Sequence, residues 1–157
     1  MRSNKEKGFS LIELLIVVAI ILIIAAIAIP NLLRSKMAAN EASAVSSLRT
    51  LNTAIVEYST TYGTDPSNLA SLGPASTPSS TAADLVDNLL GVDPAVKSGY
   101  SITYTAGTTT PIVSYSMVAV PVASSTGQRQ FYTDQSDVIR QTTDGSTPNA
   151  SSQPIGN

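Results

Sequence analysis

The chain contains neither cysteine nor histidine. Without cysteine there is no disulfide to staple a loop and no thiol to act as nucleophile or ligand. Without histidine neither a Ser-His nor a Cys-His pair can form. Glu41, Glu57 and the scattered aspartates show no converging spacing for acid–base work, so the chain is read as a non-enzyme with no cofactor. Aromatics make up 5% of residues, which argues against an aromatic electron path through Phe9, Tyr58 and Tyr62; tyrosines at helical spacing read as core. A basic excess is also missing, with 9 Lys and Arg against 11 Asp and Glu, so no nucleic-acid surface is implied.

What the chain does have is a long apolar run. Lys7-Gly8-Phe9-Ser10-Leu11-Ile12-Glu13-Leu14 opens a stretch that stays apolar to Ile29, broken only by Glu13. Phe9 to Ile29 is about twenty residues, enough to cross a ~30 Å hydrocarbon layer as a helix. Arg2, Lys5 and Lys7 precede it against the single acid Glu6, which keeps the start of the chain cytoplasmic and exports the rest. A cleaved secretory signal would place small residues behind the apolar stretch. Pro30-Asn31-Leu32-Leu33-Arg34 is a poor site of that kind, so the segment reads as a retained single-pass anchor. Glu13 is then the anomaly: a carboxylate inside a bilayer costs roughly 2.5–3.5 kcal/mol and usually has a partner, and none is obvious within the chain.

The Lys7-Gly8-Phe9-Ser10-Leu11-Ile12-Glu13 motif, the aliphatic block behind it and Pro30 together resemble the type IV pilin and type II secretion pseudopilin superfamily. The resemblance is close over the first third of the chain. It implies that a prepilin peptidase cuts after Gly8, that the new N-terminal residue Phe9 is methylated, and that Glu13 is the assembly glutamate. It also implies an inner-membrane subunit that joins a homo-oligomeric filament, extracellular or periplasmic, with the help of an assembly ATPase and a membrane platform. Loss of the leader, residues 1–8, removes three bases and one acid and leaves six bases against ten acids. The family's disulfide-closed C-terminal loop is in doubt here, since cysteine is absent.

Behind the anchor segment 9–29 the pattern becomes amphipathic. Met37, Glu41, Val45, Leu48, Leu51, Ile55, Tyr58 and Tyr62 recur at steps of three and four, while Asn40, Ser46, Arg49 and Thr53 fall between them. This predicts one helix over 9–62, about 80 Å long at 1.5 Å per residue, stopped by Gly63-Thr64-Asp65-Pro66. Pro30 is expected to kink it; the alternative is that the anchor helix ends there and a second begins at Asn31. The remainder, 63–157, reads as one small domain. A connecting loop, 63–99, contains the breaker-rich stretch Gly73–Thr81, expected to be bare and flexible, with glycosylation of its Ser and Thr residues as the alternative. It also contains a short helical pattern at Asp84–Leu90.

From Tyr100 the period is two, with strands expected at Tyr100–Thr105, Val113–Met117, Gln130–Thr133 and Val138–Gln141. Four antiparallel strands within 100–141 would cover the helix stripe, an α+β fold, with a loose tail from Thr143. Asp134, Asp137 and Asp144 invite a calcium check, but their spacing lacks the closing glutamate of a helix-loop-helix calcium site, and a solvated turn is the reading taken.

Mechanistically, an unpaired Glu13 meeting the Phe9 amine of a staggered neighbour would relieve both charges and draw a new subunit into register. Three functional readings stand: a type IV pilin, a pseudopilin of type II secretion, and a monomeric membrane-anchored binding protein with a pilin-like start.

Overall fold

The computed structural model describes residues 8–156; the leader positions Arg2, Lys5 and Lys7, and the cytoplasmic placement read from them, lie outside the described residues. The chain divides into two compact units, Met1–Ser35 and Lys36–Asn157. One helix, α1, runs from Leu11 to Tyr62 with Pro30 inside it. In the first unit the large apolar side chains from Phe9 to Leu33 are exposed, as the lack of any polar face in the sequence requires.

In the second unit α1 carries the expected stripe. Glu41, Leu48, Leu51, Ile55 and Tyr58 are buried, and Met37, Val45 and Tyr62 are half-buried. Gly63 ends the helix in the left-handed conformation, φ +73°, its N–H donating to the Ser59 carbonyl at 2.9 Å. That backbone region is open to glycine at little cost.

The stripe packs on a six-stranded antiparallel meander: β1 (Ala95–Lys97), β2 (Tyr100–Ala106), β3 (Tyr115–Pro121), β4 (Gln130–Asp134), β5 (Arg140–Thr142) and β6 (Gln153–Pro154), in that spatial order. Alternate residues face inward, and the register sets large against small. Phe131 lies opposite Ala119, Ala119 opposite Ile102, and Ile102 opposite Ala95. A second row runs Thr133, Met117, Tyr104. All seven are buried together with Leu48, Leu51 and Ile55 of α1. At about 1.5–3 kcal/mol for each large side chain removed from water, this interface is the main stabilising term. Polar contacts set its register: the buried Asn52 amide donates to Thr133 Oγ1 at 3.0 Å, and the Tyr104 hydroxyl donates to the Pro66 carbonyl at 2.7 Å.

Several sequence expectations for this domain are corrected. The described residues form six strands in place of four. The second expected strand begins at Tyr115, not Val113, because Ile112 is held by the helix exit: its N–H donates to Thr64 Oγ1 at 3.0 Å and its carbonyl accepts from the Asp65 N–H at 2.8 Å. Asp84–Leu90 forms turns, not a helix. The Asp87 carboxylate accepts the N–H groups of Leu89 and Leu90 at 3.0 and 2.9 Å, offering the backbone an alternative to helical bonding. A short 3-10 helix at Leu69–Leu72 was not foreseen. The Gly73–Thr81 loop is pinned, with the Tyr58 hydroxyl donating to the Ser80 carbonyl at 2.7 Å. The tail is not loose: β6 pairs with β5, and the Ile155 N–H donates to the Ile139 carbonyl at 3.0 Å.

Gly127 gives a first test of this packing. A Cβ there falls onto the Tyr100 hydroxyl, which cannot retreat because it donates to the Arg129 carbonyl at 2.7 Å. Gly127→Ala is expected to lower stability by about 1–3 kcal/mol, measured as a fall in the urea midpoint at unchanged slope. An unchanged midpoint would show that the loop gives way.

Candidate processing and assembly site

The residues singled out for processing sit where the chain is not yet helical. Gly8, Phe9 and Ser10 have no regular structure, and α1 starts at Leu11. A Cβ built at Gly8 meets nothing, and Phe9 is 81% exposed. The Gly8–Phe9 bond is therefore sterically open and outside any helix, as an endopeptidase requires of its substrate.

Glu13 is exposed on the first turn, and it has a partner that the sequence reading did not find. Its Oε2 accepts the backbone N–H of Ser10 at 2.9 Å, while the Ser10 carbonyl accepts the N–H of Leu14 at 3.3 Å. Ser10 is the N-cap and Glu13 the third helical residue, which makes this half of a capping box. The signal was present as Ser-x-x-Glu ahead of an apolar run. A carboxylate in the first turn also interacts favourably with the helix dipole. Further along the unit, Pro30 has no N–H to give the Ala26 carbonyl, and Ser35 Oγ donates to the Asn31 carbonyl at 3.0 Å.

The comparisons with known proteins fall on the same stretch of chain. A family profile described as the prokaryotic N-terminal methylation motif matches residues 3–29. Among curated proteins, the type IV wide pilus major component PilA4 of Thermus thermophilus is 41% identical over 86 residues, covering 53% of this chain and 66% of the relative. The type IV major pilin protein PilE1 of Neisseria gonorrhoeae is 40% identical over 74 residues, 47% of this chain and 45% of the relative. The type II secretion system core protein G of Escherichia coli is 36% identical over 56 residues, 36% of this chain and 39% of the relative.

These likenesses support the type IV pilin and pseudopilin superfamily.

The chain spans less than two thirds of the length of each of these relatives. The superfamily is one of structural subunits, not of enzymes. The second unit carries its own polar fastening, also missed from the sequence. Glu41, the one acid in the apolar stripe, accepts the N–H of Gln128 at 2.9 Å and of Arg129 at 3.2 Å on Oε1, and the Arg129 Nε at 2.7 Å on Oε2. Asn40 adds a bond from Nδ2 to the Thr126 carbonyl at 2.9 Å. These contacts fasten the β3–β4 loop to α1. Burial alone would raise the Glu41 pKa; the hydrogen bonds from Gln128 and Arg129 outweigh it and leave it lowered.

The three aspartates considered for calcium are engaged separately. Asp134 accepts from Ser136 and Tyr132, Asp137 from Tyr115, and Asp144 from Ser146. No metal-holding cluster occurs among the described residues.

Proposed function

We propose that this chain is a structural subunit of a type IV pilus-like filament. A prepilin peptidase removes residues 1–8 after Gly8 and methylates Phe9. The segment 9–29 then anchors the subunit in the inner membrane, start inside, until an ATPase and a membrane platform feed it into the filament. The observation that carries this reading is the fully exposed apolar helix behind the prepilin motif: it must be covered by lipid or by copies of itself, and a filament supplies the second cover when the first is lost. Glu13 of one subunit then takes the Phe9 amine of its neighbour.

A pseudopilin of type II secretion is the second reading, favoured by the 36% identity to core protein G. Determining the N-terminus of the native protein by mass spectrometry, in membrane and sheared-surface fractions, separates the two. A chain starting at N-methylated Phe9 in the sheared fraction is the expected result. The same processed chain confined to membranes would favour the pseudopilin. An intact leader in both fractions would overturn both.

A further inference from the structure

Two exposed charged side chains of α1 in the second unit have no side-chain partner among the described residues. The ion pairs among the described residues are Lys97–Asp87 and Arg129–Glu41. Arg49 and Glu57 are exposed and belong to neither. Beyond the helix's own bonds, their backbone carbonyls accept the Thr53 and Thr61 hydroxyls at 3.0 Å each. Arg49 also lines an open groove with Asn52, Thr53, Val56 and Asp137. The acid in that groove, Asp137, makes no ion pair with Arg49 and accepts the Tyr115 hydroxyl at 3.1 Å. Val56 is 51% exposed in the same wall. The groove therefore offers a cation without an ion-pair contact beside bare apolar surface, which fits a carboxylate carried next to an apolar side chain. Glu57, directly after Val56 on the same helix, is such a carboxylate.

Eight helical residues separate Arg49 from Glu57, an axial distance of about 12 Å. Two parallel copies displaced by about that much bring Glu57 of one level with Arg49 of the other. We infer that this face of α1 docks on a second copy of this chain, with the Glu57 carboxylate of one copy entering the Arg49 groove of the next. The contact uses different residues on its two sides, so it is head-to-tail and repeats without closing. The Phe9 amine and Glu13 follow the same order along the chain, cation ahead of anion. The inference rests on the filament reading, which supplies the parallel copies.

Charge reversal in the full-length protein in its host tests it. Arg49→Glu and Glu57→Arg are each expected to lower the assembled fraction about fivefold, since each removes an attraction and installs a repulsion. The double variant R49E/E57R is expected to return it to within about twofold of wild type. Because the chain has no cysteine, a second readout is clean. Co-expressed chains carrying Arg49→Cys and Glu57→Cys singly, treated with a short bifunctional maleimide, should give more mixed dimer than either chain alone. Single variants assembling at wild-type level, a double no better than the singles, or equal cross-linking would overturn this interface while leaving the filament reading intact. A wild-type chain that is never processed would overturn the filament reading and this inference with it.

Discussion

Glu13→Ala is expected to leave the chain inserted and cleaved after Gly8 but unable to enter a filament. The variant loses two things. One is local, the bond from the Ser10 N–H at 2.9 Å that caps α1, worth about 0.5–2 kcal/mol to the helix start. The other is the proposed pairing with a neighbour's Phe9 amine, a charge-assisted bond worth roughly 1.5–3 kcal/mol, or about 10- to 150-fold in an association constant for each subunit added. Glu13→Gln separates them. Glutamine can still accept the Ser10 N–H, as it does in capping boxes, but it carries no charge for the amine. If charge pairing drives assembly, both variants are processed and both fail to assemble. If capping is what matters, only Glu13→Ala fails. The measurement is the amount of processed protein in sheared and membrane fractions for each variant; normal filaments from Glu13→Gln would sink the charge-pairing mechanism.

The parts of the fold legible in the sequence are those written with a local period or a local stop. The stripe from Met37 to Tyr62 and the alternation Tyr100, Ile102, Tyr104 each repeat often enough to define a buried face, and Gly63 marks the helix end by a backbone requirement few other residues meet. What was not legible depends on partners far away in sequence. β1 and β6 are three and two residues long, too short for any period; they exist because β2 and β5 present open edges beside them. Asp84–Leu90 has helical spacing, yet a single carboxylate, Asp87, captures two backbone N–H groups and turns the chain. The site was readable in the same uneven way. Gly8, Phe9 and Glu13 stand out as a motif and remain proposals as to role, whereas the Ser10 partner of Glu13 required reading the same four residues as a helix cap. The Glu41 fastening joins residues 87 and 88 apart, and its one local sign is an acid where the stripe calls for an apolar side chain.

That acid is the second place where a single substitution should have a large effect. Glu41→Gln is expected to cost about 2–4 kcal/mol. Breaking a buried pair by removing one partner typically costs 3–5 kcal/mol, and the value is reduced here because the Arg129 side chain is 40% exposed and regains water. Glutamine can keep Oε1 under the N–H groups of Gln128 and Arg129. Its amide then points donors at the Arg129 Nε, itself a donor, so that bond is lost. The β3–β4 loop should loosen first, releasing the Tyr100 hydroxyl from the Arg129 carbonyl. Glu57→Gln, which removes an exposed and unpaired carboxylate on the same helix, is the control and should change stability by less than about 0.5 kcal/mol. The pH dependence gives the effect its sign. The Glu41 pKa is lowered in the folded chain from an ordinary value of 4.5, so its contribution is fully present above that value and is lost as pH falls through the lower folded one. Wild type and Glu41→Gln should therefore differ most near neutral pH and converge in acid. Urea unfolding of the two detergent-solubilised full-length chains at several pH values, followed by near-ultraviolet tyrosine signals, measures this. A difference that stays constant into acid would mean that Glu41 acts through packing and not through its charge.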